Sequence, residues 1–471
     1  MSLNSFVTPD GGEIGRAQAL QAEACGLPPH VDMNPILLKP ESDQCSQVIV
    51  HGTVWGRNSA RSYFARSKEL FGIVRASYER LAGAYEAIVI EGAGSAAEMN
   101  LRDRDIVNWP VVELADASVV LVADIDRGGV FAQVIGTIDL LSAAERRRLV
   151  GVVVNKFRGD LGLFADGVAF LEAHTKVPVL GVLPFLRGLE LDQEDSVELT
   201  RYRGTPFAPQ TVNVAVILAP HMSNFTDFNA LAGENDVALR YASVTSDLVG
   251  ADAVVLPGTK NTIADFEHLR NRGFIEALAL HIDRGGELLG ICGGYQMLGR
   301  EVSDPYGVEA GGRIPGMGFL DVVTELLPDK RTTQVEARSL LGNVAPDSIV
   351  SGYEIHMGRT RRGSALPCFR ILRRVGKEGS AVVSMVEEVE DGAFREDRSV
   401  WGTYIHGVFD RPGFRRQWLN RLRRRKGLMP LDIAVSEAVS TRLQSALDCW
   451  ADHLEKHLNL TRIFAALALS E

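Results

Sequence analysis

Short apolar runs that end in Gly, Asp or Asn alternate with helical stretches, and this alternation constrains the fold more than any other feature. Continuous apolar strands separated by helices are typical of a parallel sheet covered on both faces. Ligands of such sheets bind beyond the carboxyl ends of the strands. We therefore predict an α/β fold class in both halves of the chain. The runs lie at 86–95, 118–129, 151–160, 177–184, 212–220, 251–259, 287–294 and 399–410.

Composition narrows the class of protein. The chain has 471 residues and a mean hydropathy of +0.02. Its net charge of −10 argues against a large nucleic-acid-binding surface. No apolar run approaches the roughly 20 residues of a membrane span. Five cysteines without CxxC spacing favour neither disulfides nor structural zinc. With no secretory leader visible in the first 30 residues, we expect a cytoplasmic enzyme.

A Gly- and Pro-containing stretch without periodicity divides the chain. We predict a first domain at 1–203, a linker at 204–211, a second domain at 212–420 and a helical extension at 421–471. The extension carries apolar residues at helical spacing, namely Leu443, Ala446, Leu447, Trp450 and Leu454. The sequence leaves the oligomeric state open.

A cysteine in a Gly-rich turn is the strongest chemical signal. GICGGYQMLG (290–299) has the order strand, Gly, Cys, Gly, Gly, helix, which suits a nucleophile on a sharp turn. LPGTKNT (256–262) ends a second strand in a Pro-Gly turn that can aim an N–H at an oxyanion. His406 follows a late strand in GTYIHGVFD (402–410), which has glycines on both sides of it. We predict that Cys292 and His406 form a nucleophile–base pair.

These segments resemble the class I glutamine amidotransferase domain over about 212–415. The resemblance implies that Cys292 attacks the side-chain amide of glutamine and that His406 moves the proton to departing ammonia. It also implies an oxyanion hole made by the N–H groups of Gly258 and Gly293. Gln296 is expected to help seat the glutamine.

The chain departs from the usual family pattern after the histidine. The family has His-Pro-Glu, whose Glu orients the imidazole, whereas here His406 is followed by Gly407 and Val408. The third member of the triad is therefore not assigned. The polar residues Glu354 and His356, in SGYEIHMGRT (351–360), are expected beside the site.

The first half is similar to the cobyric acid synthase family, whose ATP-using half resembles dethiobiotin synthetase and is P-loop-NTPase-like. The resemblance implies ATP- and glutamine-dependent amidation of the b, d, e and g carboxylates of a corrinoid, adenosylcobyrinic acid a,c-diamide, with ATP and Mg²⁺ required. The matching segments are 4–40, 91–108, 124–132 and 154–160.

Candidate ligands in the first half follow from this resemblance. Glu91 and Asp43 are expected as Mg²⁺ ligands, because carboxylates near phosphate suit this ion. The residues expected to bind ATP or substrate are Lys39, Glu91, Asp124, Asn155 and Lys156.

One element of the family is absent from these 471 residues, since no Gly-x-x-x-x-Gly-Lys-[Ser/Thr] occurs. The first domain is therefore expected to lack its first strand and phosphate loop, through a start codon placed too late or a true truncation. Two alternative functions remain. One is an amidotransferase with another acceptor, such as cobyrinic acid or a cell-wall precursor. The other is a glutaminase or corrinoid-binding protein that has lost ligase activity.

Overall fold

The chain forms two compact units, each built from segments distant in sequence. The computed structural model describes residues 3–42, 45–189, 191, 204–309, 311–341, 348–378, 381–385 and 389–467. The first unit joins Met1–Ser59 to Asp192–Thr441, and the second joins Ala60–Leu191 to Arg442–Glu471. Residues 1–59 thus belong with the second half of the chain, where the sequence predicted one domain over 1–203.

The elements are numbered in chain order within the described ranges. The strands are β1 (Ser5–Val7), β2 (Glu13–Gly15), β3 (Ile36–Ser42), β4 (Cys45–Val50), β5 (Thr53–Ser59), β6 (Val119–Asp124), β7 (Leu149–Phe157), β8 (Val179–Pro184), β9 (Val212–Ile217), β10 (Val237–Ala242), β11 (Ala253–Leu256), β12 (Glu287–Ile291), β13 (Glu301–Asp304), β14 (Gly312–Pro315), β15 (Val322–Ser339), β16 (Ile349–Arg362), β17 (Phe369–Glu378), β18 (Ala381–Met385), β19 (Val389–Asp391), β20 (Ala393–Phe394) and β21 (Val400–Thr403). The α-helices are α1 (Arg16–Ala24), α2 (Ala60–Ala65), α3 (Ser67–Ala84), α4 (Trp109–Leu114), α5 (Val130–Leu140), α6 (Ala143–Arg146), α7 (Ala165–Thr175), α8 (Asn229–Ala232), α9 (Thr262–Asn271), α10 (Phe274–Asp283), α11 (Gly293–Leu298), α12 (Pro412–Arg425), α13 (Val439–His457) and α14 (Leu460–Ala466). None of these helices combines the length and apolar character needed to cross a membrane.

A six-stranded sheet forms the centre of the first unit, in the order β10-β9-β11-β12-β21-β20. Its strands are parallel except for β20, which pairs antiparallel with β21. The apolar runs predicted as strands in the second half become β9, β11, β12 and β21. Their side chains are fully buried, as the continuous apolar pattern requires. The carboxyl ends of these strands meet at one edge, where the site lies.

A second sheet in the first unit carries the long antiparallel strands β15 and β16, with β17 on the other edge of β15. Strand β16 reaches the carboxyl edge of the central sheet, where Tyr353 forms an isolated antiparallel bridge with His406. The two sheets therefore share one end.

The amino-terminal segment packs into this same unit as two small antiparallel sheets, β1-β2 and β3-β4-β5. The Ser5 N–H donates to Asn224 Oδ1 at 3.2 Å, and Phe6 meets the ring of Tyr353 edge-on at 5.5 Å. Lys377 Nζ lies 2.8 Å from Asp10 Oδ2. These contacts, distant in sequence, explain why the segment joins the second half rather than residues 60–191.

The second unit contains a parallel sheet with the order β6-β7-β8. Helices α5 and α7 cover one face, and Trp450 and Leu454 of α13 pack on the other. The predicted carboxy-terminal helix is confirmed, but it belongs to this unit. The predicted strand at 86–95 is wrong: these residues form neither helix nor strand, and Val89 is 91% exposed. An apolar run needs a neighbouring strand to hydrogen-bond, and the described sheet ends at β6.

Candidate active site

Cys292 stands on a tight turn between β12 and α11. Its φ of 51° and ψ of −108° put it in a region that non-glycine residues rarely adopt, as expected for a nucleophile elbow. A Cβ on Gly290 would lie 2.6 Å from the Tyr295 nitrogen, and one on Gly294 would lie 2.1 Å from the Leu256 oxygen. Glycine is therefore required on both sides of the turn. The Cys292 Sγ donates a 3.5 Å hydrogen bond to the Ile355 carbonyl.

His406 is held by an aspartate that the sequence analysis did not assign. Its Nδ1 lies 2.7 Å from Asp227 Oδ2, and the Gly407 N–H donates to Asp227 Oδ1 at 2.9 Å. Both side chains are 2% exposed. The carboxylate fixes the proton on Nδ1 and leaves Nε2 for proton transfer. Asp227, which lies 179 positions before His406, makes the contact that the usual family pattern makes with a Glu two residues after the histidine.

The electrostatics favour an imidazolium at this position. Burial alone would lower the pKa of His406, but the Asp227 carboxylate and the hydrogen bond with Cys292 raise it to about 10. A positive imidazole beside sulfur stabilises the negative thiolate, which is the nucleophilic form of cysteine. The geometry is thus that of a cysteine nucleophile beside a histidine that a carboxylate holds in place.

The two glycines expected in the oxyanion hole lie next to this pair. A Cβ on Gly258 would lie 2.9 Å from His406 Cε1, and one on Gly293 would lie 3.1 Å from the Thr259 nitrogen. Within the described part of the chain, neither glycine N–H has a protein acceptor. Two free N–H donors beside a nucleophile can stabilise a developing oxyanion. Their role stays a prediction, which this placement supports.

Gln296 is buried in α11 and already has protein partners. Its Oε1 accepts from Thr262 Oγ1 at 2.9 Å, and its Nε2 donates to Tyr404 Oη at 3.2 Å. It lines the cavity beside Cys292. Its expected part in seating glutamine stays a prediction.

A cavity of about 50 Å³ opens onto the nucleophile. Lys39 was expected to bind ATP or substrate in the first half, but the structure puts it here, in the first unit. The residues lining the cavity are Lys39, Ser223, Asn224, Thr259, Lys260, Thr262, Cys292, Gly293, Gln296, Glu309, Leu326, Lys330, Ile355, His356, Met357 and His406.

Glu354 and His356 lie beside the site, as expected. Arg374 binds the Glu354 carboxylate through two hydrogen bonds of 2.8 and 2.9 Å, and burial around this pair is nearly complete. The ring of His356 stacks on Tyr404 with a centroid distance of 3.8 Å, and its Nδ1 donates to the Gly358 carbonyl. Glu354 therefore stabilises the sheet, whereas His356 forms part of the cavity wall.

Three residues expected to bind ATP come together in the second unit. Asp124 and Asn155 are register partners at the carboxyl ends of β6 and β7. The Lys156 ammonium lies 2.9 Å from Asp124 Oδ2, and both groups remain partly exposed. Although partial burial raises the pKa of Asp124, the hydrogen bond from Lys156 lowers it overall. The three residues form a polar edge open to a ligand.

Of the two expected Mg²⁺ ligands, Glu91 is the one that lies within the described residues. Glu91 lies in the exposed segment that was predicted to be a strand, so it does not end one. Asp43 lies outside the described residues. No three His, Cys, Asp or Glu side chains in the described ranges are grouped closely enough to hold a metal ion. Protein groups alone therefore do not form a magnesium site there.

Asp227 is the functional residue that sequence reasoning missed. It belongs to a short 3-10 helix, Phe225–Phe228, that follows the carboxyl end of β9. Its position shortly after a predicted strand is the sequence signal that could have identified it, because polar residues that follow parallel strands lie at the ligand-binding edge of the sheet.

Two family models match the chain. The CobB/CobQ-like glutamine amidotransferase domain matches residues 213–414, and an AAA domain matches residues 57–193. The chain is 46% identical to the cobyric acid synthase of Syntrophobacter fumaroxidans, covering 100% of this chain and 91% of that protein. It is 48% identical to the Klebsiella pneumoniae enzyme of the same name, over 99% of this chain and 90% of the relative. It is 44% identical to the cobyric acid synthase of Dehalococcoides mccartyi, over 99% of this chain and 91% of that protein.

Proposed function

The chain belongs to the cobyric acid synthase family, and from this premise we propose that it amidates corrinoid carboxylates with ammonia taken from glutamine. The acceptor is adenosylcobyrinic acid a,c-diamide, whose b, d, e and g carboxylates become amides at the expense of ATP. The observation that carries the glutaminase part is the Cys292–His406–Asp227 arrangement inside a lined cavity.

Glutamine hydrolysis follows from this arrangement. The Cys292 thiolate attacks the carboxamide carbon, a C–S bond forms, and the N–H groups of Gly258 and Gly293 stabilise the oxyanion. His406 Nε2–H gives its proton to the departing nitrogen as the C–N bond breaks, and ammonia leaves. His406 then takes a proton from water as the water oxygen attacks the thioester carbon. The C–S bond breaks, which releases glutamate and restores the Cys292 thiolate beside the protonated His406. Asp227 keeps the imidazole oriented throughout.

The acceptor carboxylate must be activated before ammonia can displace an oxygen. ATP supplies this activation by phosphorylating the carboxylate, which gives the acyl carbon a good leaving group. Lys156, Asn155 and Asp124 support a nucleotide-binding edge, because they combine an ammonium, an amide and a carboxylate beyond parallel strands. Mg²⁺ usually takes one or two protein carboxylates beside the substrate phosphates. Asp124 and Glu91 are the carboxylates that would supply them.

The test separates the two half-reactions with Cys292→Ala. The full chain is incubated with adenosylcobyrinic acid a,c-diamide, ATP and Mg²⁺, with either glutamine or ammonium chloride, and the corrinoid is followed by mass spectrometry. The variant is expected to use ammonia but not glutamine. Cys25→Ala, at an exposed cysteine of the same unit, is the control and should use both. Loss of both activities in Cys292→Ala, or an unaltered corrinoid with the unmodified chain, would contradict the proposal.

A further inference from the structure

A buried carboxylate lies between two lysines in the wall of the glutaminase cavity. Glu13 Oε1 is 2.8 Å from Lys39 Nζ, and Glu13 Oε2 is 2.5 Å from Lys330 Nζ. The exposed fractions are 1% for Glu13, 4% for Lys39 and 8% for Lys330. Ser5 Oγ and Gln47 Oε1 accept further hydrogen bonds from the two ammonium groups. Glu13 and Lys39 come from the amino-terminal segment, whereas Lys330 comes from β15.

The two lysines of this cluster share one carboxylate, so the cluster carries up to one excess positive charge. The neighbouring Lys260 lies 2.8 Å from Glu41, which also pairs with Arg57. Burial, with repulsion from Lys39 and Lys260, lowers the pKa of Lys330 to about 7 despite Glu13. The two lysines in turn hold the pKa of Glu13 well below its usual range. An anion entering the cavity would balance the excess charge and keep Lys330 protonated.

The position of the cluster indicates which anion would bind there. Lys39 and Lys330 line the same cavity of about 50 Å³ as Cys292, and Glu309 lines it too. A zwitterionic amino acid whose side-chain amide lies at Cys292 must place its carboxylate and its ammonium elsewhere in this small cavity. The lysines offer the charge that the carboxylate needs. Burial raises the pKa of Glu309 to about 7, so this carboxyl group offers the ammonium a hydrogen-bond acceptor with a partial negative charge at neutral pH.

We propose that the cluster of Lys39, Glu13 and Lys330 binds the α-carboxylate of the substrate glutamine, so that residues 3–59 complete the glutaminase pocket. This inference rests on the proposed function, since it needs glutamine to be cleaved at Cys292. It assigns Lys39 to glutamine recognition and not to ATP. It also gives Glu13 a positioning role, because its carboxylate holds the two ammonium groups side by side.

The experiment compares Lys39→Met and Lys330→Met with the unmodified full chain. Each variant leaves one lysine to balance Glu13, so both are expected to fold. The KM for L-glutamine is expected to rise about 10-fold or more, as for loss of a charge-assisted hydrogen bond, with kcat changed less than about threefold. Hydrolysis of 4-aminobutanamide, which is glutamine without its α-carboxylate, should be slow in all forms and equal in each. Lys377→Met is the matched control, because Lys377 also pairs with the amino-terminal segment but does not line the cavity.

A second readout does not depend on turnover. Alkylation of Cys292 by 6-diazo-5-oxo-L-norleucine, which carries the α-carboxylate, should slow in both lysine variants, whereas alkylation by neutral iodoacetamide should not. An unchanged KM for glutamine, or equal losses with both substrates, would overturn this inference and leave the proposed function standing. No glutamine hydrolysis by the unmodified chain would overturn both.

Discussion

Replacing Asp227 with Asn tests whether this carboxylate controls the charge of His406. The substitution keeps the size and shape of the side chain but leaves one acceptor oxygen, whereas the two carboxylate oxygens of Asp227 serve His406 Nδ1 and the Gly407 N–H separately. It removes the negative charge from a pair that is almost fully buried. Removing one partner of such a pair costs about 3–5 kcal/mol. At about 1.4 kcal/mol per pKa unit, this loss lowers the pKa of His406 from about 10 to about 6.5–8.

The kinetic consequence has a definite direction. Above its pKa, His406 is neutral and cannot give a proton to departing ammonia, so glutaminase activity falls as the pH rises. In the unmodified chain this fall should occur near pH 10, where His406 titrates. In Asp227→Asn the fall in activity should move toward pH 7. At pH 8 we expect kcat/KM to be about 10²–10⁴-fold lower, because the imidazole has lost its charge and its preferred tautomer.

The free energy of unfolding should also decrease as the pH rises. Because the folded-state pKa of His406 is raised, the stabilisation from its charge is complete below about pH 6.5 and is lost as the pH rises through about 10. Glutamate release measured from pH 6 to 10 tests the kinetics, and urea unfolding at the same pH values tests the stability. Asp321→Asn, a surface carboxylate bound by Ser364, is the control. If the alkaline fall in activity stays in place in Asp227→Asn and the loss is less than about tenfold, Asp227 does not control the charge of His406.

Three further substitutions probe other parts of the chain. Gly258→Ala places a methyl group 2.9 Å from His406 Cε1 and should lower kcat at least about tenfold, with little change in Tm; full activity would contradict this crowding. Arg374→Met removes both guanidinium hydrogen bonds from the buried Glu354 carboxylate and leaves it the Thr333 hydroxyl and the nearby His356 ring. This loss should cost up to about 3–5 kcal/mol in urea unfolding; a cost below about 1 kcal/mol would show that the pair is not buried in solution. Lys156→Gln removes an exposed ion pair and should change stability by less than about 1 kcal/mol while reducing ATP-dependent amidation; unchanged amidation would exclude the nucleotide site at this edge.

The sequence was sufficient wherever structure depends on neighbouring residues. The turn around Cys292 could be predicted because its glycines lie within a few positions and serve one steric purpose. The strands of the central sheet followed from apolar runs that are buried on both faces. The run at 86–95 has the same composition but no strand beside it in the described sheet, and pairing decides whether such a run becomes a strand.

What could not be predicted depends on contacts between distant residues. Asp227 reaches His406 across 179 positions, so no local pattern joins them. Lys39 was assigned to the ATP half by its place in the sequence, whereas its partner Lys330 lies on β15 of the other half. Periodicity reports which face of an element is buried, but it does not say which element covers that face.

The separation of Glu13 from Lys330 also has a consequence for synthesis of the chain. The two residues are 317 positions apart. At typical translation rates of about 5–20 residues per second, the amino-terminal segment leaves the ribosome roughly 15–60 s before its partner strand exists. During that interval β3, β4 and β5 can pair only with one another, as a local meander. The glutaminase pocket closes only after residues 60–191 have emerged, so the nascent chain is not able to release ammonia before the bulk of the second unit is made.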